Sequence, residues 1–480
     1  MAAAPDDDAA RLRELGYEQE LRRRLGGLDN VAMGFATISP VVGLYAVALI
    51  GTTLAGPAWL WVLPVALAGQ CLLLALYSEL AAEFPVTGGP YQWTRRLAGP
   101  TYEWLTGWVA VCAYAAANTT IAYLGAPWLL TLLGIEARPG AIVLAGLVLV
   151  VAAALAGALG IDALKRVVQA GIGAEAAALA GIGVVLLLAF REQDLSLLTE
   201  TLGAEASSGG STFAALLAAL AVGGWVFIGF DACVGAAEET REAARHVPRA
   251  VWLAVLSVAA LVMLNAVAAT LAHPDPAAIV AGTDADPVTT AVVISFGHWS
   301  TKPFAAIVLV AFVACGAAAQ GLTARTVYSI ARDGVLPASQ ALRRVNRRGT
   351  PLPAVVLTAV LAAAGLLLGL DETAIGTLIV FGTAAIYVSF LLVASAALIA
   401  RARGAWRPAR PIRGGPVLNV LAVAWLAFET VNIAWPRESI APPGAPFYQV
   451  WAAPLVLALI AATGVAYLLA AKPPRRLDAA

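Results

Sequence analysis

Long apolar stretches separated by short polar segments make up most of this chain. Residues 31–78 contain no Asp, Glu, Lys or Arg, and a run of this length is more than twice the roughly 20 residues that cross a bilayer core once. Further windows of sufficient length follow along the chain. In order, the windows are 31–54, 58–82, 102–132, 140–160, 167–190, 212–236, 250–272, 303–330, 353–370, 374–400, 416–435 and 449–471. The pattern predicts an all-α integral membrane protein with twelve transmembrane helices.

The composition excludes a soluble domain. Hydrophobic residues make up 60% of the 480 residues and charged residues only 12%, whereas charged residues are about a quarter of a typical soluble domain. When both termini are placed in the cytoplasm, 26 of the 30 Lys and Arg residues fall on the inner side, as is usual for basic loops. An odd number of spans would destroy this alternation. We therefore predict a multi-pass protein of the plasma (inner) membrane with cytoplasmic N- and C-termini.

The segment before the first apolar stretch has a pattern of its own. Its leucines lie at near-helical spacing among Arg and Glu, which predicts an amphipathic segment on the cytoplasmic face. They are Leu12, Leu15, Leu21, Leu25 and Leu28. No apolar core precedes Val31, so a cleaved signal peptide is not expected. The predicted parts of the chain are this segment (1–30), a ten-helix transport core (31–400), two additional transmembrane helices (401–471) and a cytoplasmic tail (472–480).

Several function classes lack the residues that they require. The four Cys and three His residues show no metal-ligand spacing, and none of the three Lys residues lies in an ATP-binding P-loop. A membrane-embedded enzyme needs a nucleophile, a metal cluster or paired catalytic carboxylates. A channel needs a carbonyl filter or a ring of acidic residues, and neither pattern occurs. We expect no enzyme activity, metal, cofactor or nucleic-acid partner.

Two apolar spans are interrupted near their middle. The sixth is broken at 229–231 (Gly-Phe-Asp) and the first at 39–43 (Ser-Pro-Val-Val-Gly). A break inside a membrane leaves backbone groups that only protein or a water-filled cavity can satisfy. Pro40 removes a helical N–H, which allows residues 38–42 to unwind, although a simple kink is the alternative. Breaks at corresponding positions of two five-span halves indicate a transporter site at the midplane of an inverted repeat.

Such a site suits a zwitterion. Unpaired N–H groups from Val41 to Gly43 begin the outer half of the first helix, where the helix dipole is positive, and are predicted to hold a carboxylate. Free carbonyls near Phe227 are predicted to accept hydrogen bonds from an ammonium group. Ser39 adds a hydroxyl, and Phe230 presents an aromatic face either to the substrate or to the core. We interpret Trp225 as a core residue.

Three carboxylates lie in apolar surroundings, where an ionised group at the bilayer centre costs about 2.5–3.5 kcal/mol. Asp231 lies at the second break, where we expect it to help satisfy the backbone; direct binding of the substrate is the alternative. Burial of Glu175 in the fifth span favours its protonated form, so it is either a proton carrier or a packing residue hydrogen-bonded across helices. Glu429 in the eleventh span lies outside the ten-helix core and is interpreted as a structural or oligomer contact.

The end of the second span carries a candidate inner gate. Glu79 and Glu83 are four residues apart and therefore lie on one helix face. They either lock a gate with Arg residues of other inner loops, such as Arg332, or form ordinary surface ion pairs. On the outer side, residues 284–298 form either a short amphipathic helix over the site or a loop.

Several segments resemble the amino acid–polyamine–organocation superfamily of permeases, and within it the amino acid/choline transporter branch that includes GABA permeases. The matching stretches are LGYEQELRRRLG, GFATISPVVGLY, SELAAEFPVTGGPYQW, GFDACVGAAEETREAARHVPRA and RTVYSIARDGVLPASQALRRVNRRGTPLPAVV. The resemblance implies a 5+5 inverted-repeat core with broken helices 1 and 6, plus two further helices. Some relatives carry a Lys in span 5 where this chain has Glu175, so their lysine mechanism is not transferred.

The same resemblance implies which residues lie on the substrate-binding breaks. They are Ile38, Ser39, Val42 and Gly43 of span 1, and Phe227, Gly229, Phe230 and Asp231 of span 6. The favoured hypothesis is a secondary transporter of a small amino acid or related amine that works by alternating access, with proton symport or exchange. A choline, GABA or polyamine permease and a non-transporting nutrient sensor are the alternatives. The sequence leaves the oligomeric state open.

Overall fold

The computed structural model describes residues 5–370, 372–441 and 444–471. Regular structure in these ranges is helical, and the one β-type contact within them is an isolated bridge between Leu25 and Thr240. The α-helices are α1 Pro5–Glu14, α2 Gly27–Ile38, α3 Pro40–Ala55, α4 Val62–Glu83, α5 Gly89–Ala98, α6 Pro100–Leu133, α7 Pro139–Ala158, α8 Ile161–Ala189, α9 Thr212–Gly223, α10 Ala232–Gly235, α11 Ala243–Ala272, α12 Pro276–Val280, α13 Pro287–Phe296, α14 Thr301–Arg332, α15 Ser339–Leu342, α16 Leu352–Leu366, α17 Glu372–Ala402, α18 Gly415–Ala434, α19 Phe447–Val450 and α20 Ala452–Ala471.

The predicted class, a helical multi-pass membrane protein, is confirmed. Eleven helical stretches among the described residues are long and apolar enough to cross a membrane. The first, Gly27–Glu83, has 57 residues and contains both of the first two predicted spans. The number twelve therefore stays a prediction. The segment 284–298, predicted to lie on the outer side, contains a helix, α13, so the helical alternative is confirmed there.

The N-terminal segment differs from its prediction. Helix α1 ends at Glu14, and the chain from Leu15 to Gly26, here called the strap, is irregular. Leu21 and Leu25 are 2% and 0% exposed, and the amides of Arg24 and Leu25 donate to Glu239 O at 2.9 and 2.8 Å. The near-helical spacing of the leucines thus does not produce a helix lying on a membrane surface. Leu12 in α1 and Leu21 and Leu25 in the strap are buried, whereas Leu28 in α2 is 83% exposed.

The helices that surround the two breaks pack closely on one another. Helix α14 packs against α6 and α8, α11 packs against α2 and α8, and α3 packs against α9. Small residues allow this approach, as is usual between membrane helices: a Cβ on Gly171 would lie 2.3 Å from Ala314 Cβ. Helices α18 and α20 pack against α17 and, respectively, against α4 and α6.

Candidate functional site

The first break is confined to one residue. Helix α2 ends at Ile38, α3 begins at Pro40, and Ser39 between them has φ 46° and ψ 113°. Positive φ is uncommon outside glycine, and Pro40 has no N–H to continue the helix. The Ser39 hydroxyl oxygen accepts from Val42 N at 3.1 Å and so caps α3. The predicted unwinding of residues 38–42 is therefore smaller than expected, because this cap restores the helix within one turn.

A carboxylate of the protein occupies this break. Glu175 of α8 is 1% exposed, and its Oε1 accepts from the Ser39 hydroxyl at 2.6 Å and from Val41 N at 2.9 Å. The Val42 amide is bonded to the Ser39 hydroxyl, as described above, and the Gly43 amide donates to Ser39 O at 2.9 Å. The amides of 41–43 that were predicted to hold a substrate carboxylate are thus all bonded within the protein. The sequence does not reveal this contact, because Glu175 is more than a hundred residues from Ser39.

The second break is longer. Helix α9 tightens into a 3₁₀ turn at Gly224–Phe227, the chain then leaves helical geometry, and α10 begins at Ala232. Gly229 has φ +113°, and a Cβ added there would lie 3.0 Å from the backbone carbon and oxygen of Thr37. Only glycine suits such a conformation and such a close approach. The two breaks therefore touch each other through Gly229 and Thr37.

The Asp231 side chain points into the space between the breaks. It is fully buried, its Oδ2 accepts from the Tyr114 hydroxyl, and its Oδ1 has no hydrogen-bond partner among the described residues. Such orphaned buried acceptors are rare in proteins. This geometry leaves one carboxylate oxygen available to a ligand, contrary to the interpretation that Asp231 mainly satisfies its backbone.

A cavity of ≈ 40 Å³ lies beside the contact between the two breaks and is lined by residues of both. A volume of this size is far below the roughly 300–1,000 Å³ of ligand clefts, so the walls must separate before a substrate fits. Its lining includes Thr37, Ile38, Val42, Tyr114, Asn118, Ile121, Trp225, Ile228, Gly229, Asp231, Leu322, Thr323 and Ile386.

The aromatic residues of the sixth span lie in two different environments. Trp225, interpreted as a core residue, lines the cavity. Phe230 packs instead between Tyr77 and Phe390, with ring centroids 5.3 Å from each. Phe227 is fully buried, and neither phenylalanine is part of the cavity lining.

Asn118 of α6 is a lining residue that sequence reasoning missed. Its Nδ2 donates to the Tyr114 carbonyl and to Thr323 Oγ1, both at 2.8 Å. Its Oδ1, like Asp231 Oδ1, lacks a partner in the described part of the chain. The signal was present as polar residues Asn-Thr-Thr within an otherwise apolar span. By contrast Glu429 lies on α18, is fully buried and does not line the cavity.

Charged pairs gather at the end of the bundle where α4, α14 and α17 terminate, here called the basic end. Arg332 donates to Glu238 at 3.1 and 3.0 Å, not to Glu79 or Glu83 as suggested from the sequence. Glu79 instead pairs with Arg401. Glu83 pairs with an arginine of α1, Arg11, at 3.3 Å. The two glutamates of α4 are thus paired with arginines of α17 and α1, and the suggested pairing with Arg332 is wrong.

The second broken helix ends in this charged cluster. Glu238 follows α10 and has a fully buried side chain, and its neighbour Glu239 pairs with Arg325 of α14. Burial raises the pKa of Glu239, and the Arg325 guanidinium opposes that shift. Because the carboxylates and guanidiniums are shielded from water, breaking either pair leaves a buried charge without its partner.

The strap covers the same cluster. The Tyr17 hydroxyl contacts Gln92 Oε1 at 2.8 Å and Asp333 Oδ1 at 3.0 Å, and the Arg332 guanidinium lies 3.9 Å from the centre of the Tyr17 ring. Burial, together with the Asp333 carboxylate, raises the pKa of Tyr17 to about 12. The phenol therefore remains a hydrogen-bond donor throughout the physiological pH range.

Comparisons with known proteins agree with this architecture. A family model described as "Amino acid permease" matches residues 25–462. An amino-acid permease BAT1 homolog from Oryza sativa subsp. japonica is 28% identical, covering 90% of this chain and 88% of the relative. The amino-acid permease BAT1 of Arabidopsis thaliana is 25% identical, covering 90% and 89%. The branched-chain amino acid permease BcaP of Bacillus subtilis is 27% identical, covering 87% and 90%.

Proposed function

Because the chain belongs to the amino acid permease family, we propose that it is a secondary transporter that carries an amino acid across the plasma (inner) membrane by alternating access. Both termini face the cytoplasm in this proposal. The observation that carries it is the contact of two helix breaks beside a small cavity lined by Asp231, whose Oδ1 is unpaired among the described residues. A broken-helix pair at mid-membrane is the usual setting of a transporter site.

The unpaired groups in the cavity support a substrate with an ammonium group. Asp231 Oδ1 and Asn118 Oδ1 are both acceptors without partners among the described residues, and an ammonium group has three donors and no acceptor. A cation also offsets the cost of an ionised Asp231 in the membrane. The other walls include Ile38, Val42 and Ile386, which favour an aliphatic amino acid side chain. The similarity to a branched-chain amino acid permease supports the same substrate class.

Alternating access requires the cavity to open on one side at a time. The pairs Arg332–Glu238 and Arg325–Glu239 join α14 to the end of the second broken helix. They form the main inner gate in this proposal. The Glu79–Arg401 and Glu83–Arg11 contacts assist them by connecting α4 to α17 and to α1. Opening toward the cytoplasm separates these pairs while the ends of α10 and α14 move apart.

Proton coupling is assigned to Glu175. Its carboxylate is buried beside the first break, and its hydrogen bonds in the described residues come from Ser39 and Val41 rather than from a basic side chain. A buried carboxylate without a cation beside it changes protonation more readily than one held in an ion pair. Proton-driven uptake is therefore expected to depend on Glu175.

Transport is tested with purified protein in liposomes that carry an inward proton gradient. Labelled amino acids, GABA, choline and polyamines are offered one at a time, and saturable uptake of at least one amino acid is expected. Gly229→Ala should abolish that uptake, because its Cβ would collide with Thr37 at a positive φ. Gly181→Ala is the matched control, because it lies on an exposed helix face with nothing within 4 Å of the new Cβ.

Other outcomes of this panel distinguish the alternatives. Uptake of amines alone would identify an amine permease. Saturable binding without uptake in any condition would identify a sensor. Amino acid uptake that Gly229→Ala leaves unchanged would place the site elsewhere and contradict the proposal.

A further inference from the structure

The beginning of α3 is an anion site that the protein itself fills. Helix α3 has 16 residues, and the first turn of such a helix attracts negative charge through its free N–H groups and its dipole. Glu175 Oε1 lies on this turn, 2.9 Å from Val41 N and 2.6 Å from the Ser39 hydroxyl. A carboxylate of the protein thus takes the hydrogen bonds that a substrate carboxylate needs at the same place.

The cavity beside this turn, whose lining does not include Glu175, has the reverse property. Asp231 Oδ1 and Asn118 Oδ1 are buried and unpaired within the described ranges, and both residues line the cavity together with Val42 of α3. The cavity therefore has open acceptors for an ammonium group, while the donors suited to a carboxylate are already engaged. A bound amine needs only the first set, whereas a bound amino acid needs both.

We propose that Glu175 is an internal competitor of the substrate's carboxylate, which it must release from the start of α3 before an amino acid binds. This inference rests on the proposed function and deepens it by linking the coupling proton to one end of the substrate. An amine without a carboxylate binds at Asp231 without displacing Glu175.

Protonation is the step that releases Glu175. A proton from water adds to a Glu175 carboxylate oxygen, which gives a neutral carboxylic acid and breaks no other covalent bond. The neutral acid loses its attraction to the helix dipole and most of its strength as an acceptor. The incoming carboxylate is then the stronger ligand for Val41 N and Ser39. Each zwitterion therefore binds together with about one proton.

Within the described residues, no basic side chain lies beside Glu175 to act as its counter-ion. From α14 the Cys315 thiol faces it and donates to Thr37 O at 3.4 Å. Asp231 and Tyr114 line the neighbouring cavity. On α8 itself Lys165 is ten residues away, or about 15 Å along the helix, and is paired with Asp29 of α2 at 2.7 Å. The basic groups of α11 are all in its first two turns, at Arg245, His246 and Arg249, and the cap of α13 is the acid Asp286.

Binding measurements with paired ligands test the proposal. Each ligand pair consists of an amino acid and the amine that lacks its carboxyl group, such as leucine and 3-methylbutylamine. Calorimetry in buffers of different ionisation enthalpy gives the number of protons taken up. For the wild type we expect about one proton per leucine on the alkaline side of the Glu175 titration, with leucine affinity falling about tenfold per pH unit there. The amine should take up none.

Two variants separate this role from a structural one. Glu175→Gln keeps an acceptor for Ser39 and Val41 but cannot ionise, so leucine should bind without proton uptake and with an affinity independent of pH. Glu429→Gln is the matched control, since it neutralises another fully buried glutamate that does not line the cavity, and it should behave like the wild type. Proton uptake that persists in Glu175→Gln, or that the amine also causes, would overturn the proposal.

Melting temperatures measured without a substrate test the competitor role of Glu175 separately from the proposed transport function. In Glu175→Ala the start of α3 is vacant, so sodium acetate should raise the melting temperature of this variant, while sodium chloride at the same concentration should not. The wild type, whose site is filled, should not respond to acetate. If no amino acid of the panel binds but acetate acts in this selective way, the proposed function fails and the competitor role stands. Equal responses of both proteins to acetate would contradict the competitor role itself.

Discussion

The two helix breaks meet at one cavity but are built in opposite ways. The first is a single residue, Ser39, whose neighbouring amides are all engaged, partly by the carboxylate of Glu175. The second leaves helical geometry for several residues around Gly229 and presents Asp231 Oδ1 without a partner. Glu175 must therefore leave the first break before a ligand binds there, whereas the second break already has an acceptor available to a ligand. The difference suggests an order of events in which the ammonium group is recognised before the carboxylate.

The two broken helices also differ in how each is held at the basic end. The end of α10 is held by Arg332–Glu238, whose side chains are 9% and 0% exposed. The start of α2 is held by Lys165–Asp29, whose side chains are 30% and 14% exposed. Buried pairs resist separation more strongly than exposed ones. The second helix should thus control the inner gate, while the first moves at a lower cost.

The largest expected effect comes from breaking the buried pair. Arg332→Gln leaves Glu238 buried without its counter-ion, which costs about 3–5 kcal/mol in the closed state. Hydrogen exchange of peptides covering 224–242 should accelerate by at least about a hundredfold. Lys165→Gln removes the more exposed pair, worth less than about 1 kcal/mol, and should change exchange at the start of α2 only slightly. Similar acceleration in both variants would remove the proposed difference between the two ends.

The next effect concerns the open acceptor of the second break. Asp231→Asn removes the charge that holds the ammonium group, and a hydrogen bond to a charged group contributes about 1.5–3 kcal/mol. Affinity for the amino acid and for its amine should both fall about ten- to a hundredfold, as measured by calorimetry. Tyr114→Phe removes only the donor to Oδ2 and leaves Oδ1 in place, so its effect should be smaller. Unchanged amine affinity in Asp231→Asn would show that the ammonium group binds elsewhere.

The smallest effect concerns the cap of the first break. Ser39→Ala removes the hydroxyl that caps α3 at Val42 and that donates to Glu175. The free energy of unfolding in detergent should therefore fall by about 1 kcal/mol. Ser39→Thr retains the hydroxyl and should restore most of it. Ser78→Ala is the comparison outside the break, because its hydroxyl donates to Leu74 O within α4 at 2.7 Å and reaches Pro248 O of α11 only at 3.4 Å. Such bonding within a helix contributes little. Equal losses in Ser39→Ala and Ser78→Ala would mean that Ser39 has no special role.

Local features explain how much of this arrangement the sequence predicted. Pro40 and Gly229 mark the two breaks because the effect of proline or glycine on the backbone depends on the residue type itself. Long apolar runs likewise identify membrane helices from local sequence alone. The family resemblance is confirmed by the match over residues 25–462. Asn118 was within reach of the same reasoning, because an amide in an apolar span needs a partner or a ligand.

Contacts between distant segments were not predictable in the same way. Nothing near Glu175 indicates that it reaches Ser39, and the choice of Glu238 over Glu79 as the partner of Arg332 depends on how α10 and α14 approach each other. The strap was misread because the near-helical spacing of its leucines does not show that the backbone is helical. Three-dimensional packing decides these points.

A structure of the protein with a bound amino acid, determined by electron cryo-microscopy, would show directly whether the substrate replaces Glu175 at the start of α3. We expect the ammonium nitrogen at about 2.7–3.2 Å from Asp231 Oδ1, the substrate carboxylate on Val41 N and Ser39, and Glu175 displaced from both. A substrate bound away from the two breaks would contradict the proposed site. A substrate bound between the breaks while Glu175 still accepts from Ser39 and Val41 would contradict the competition.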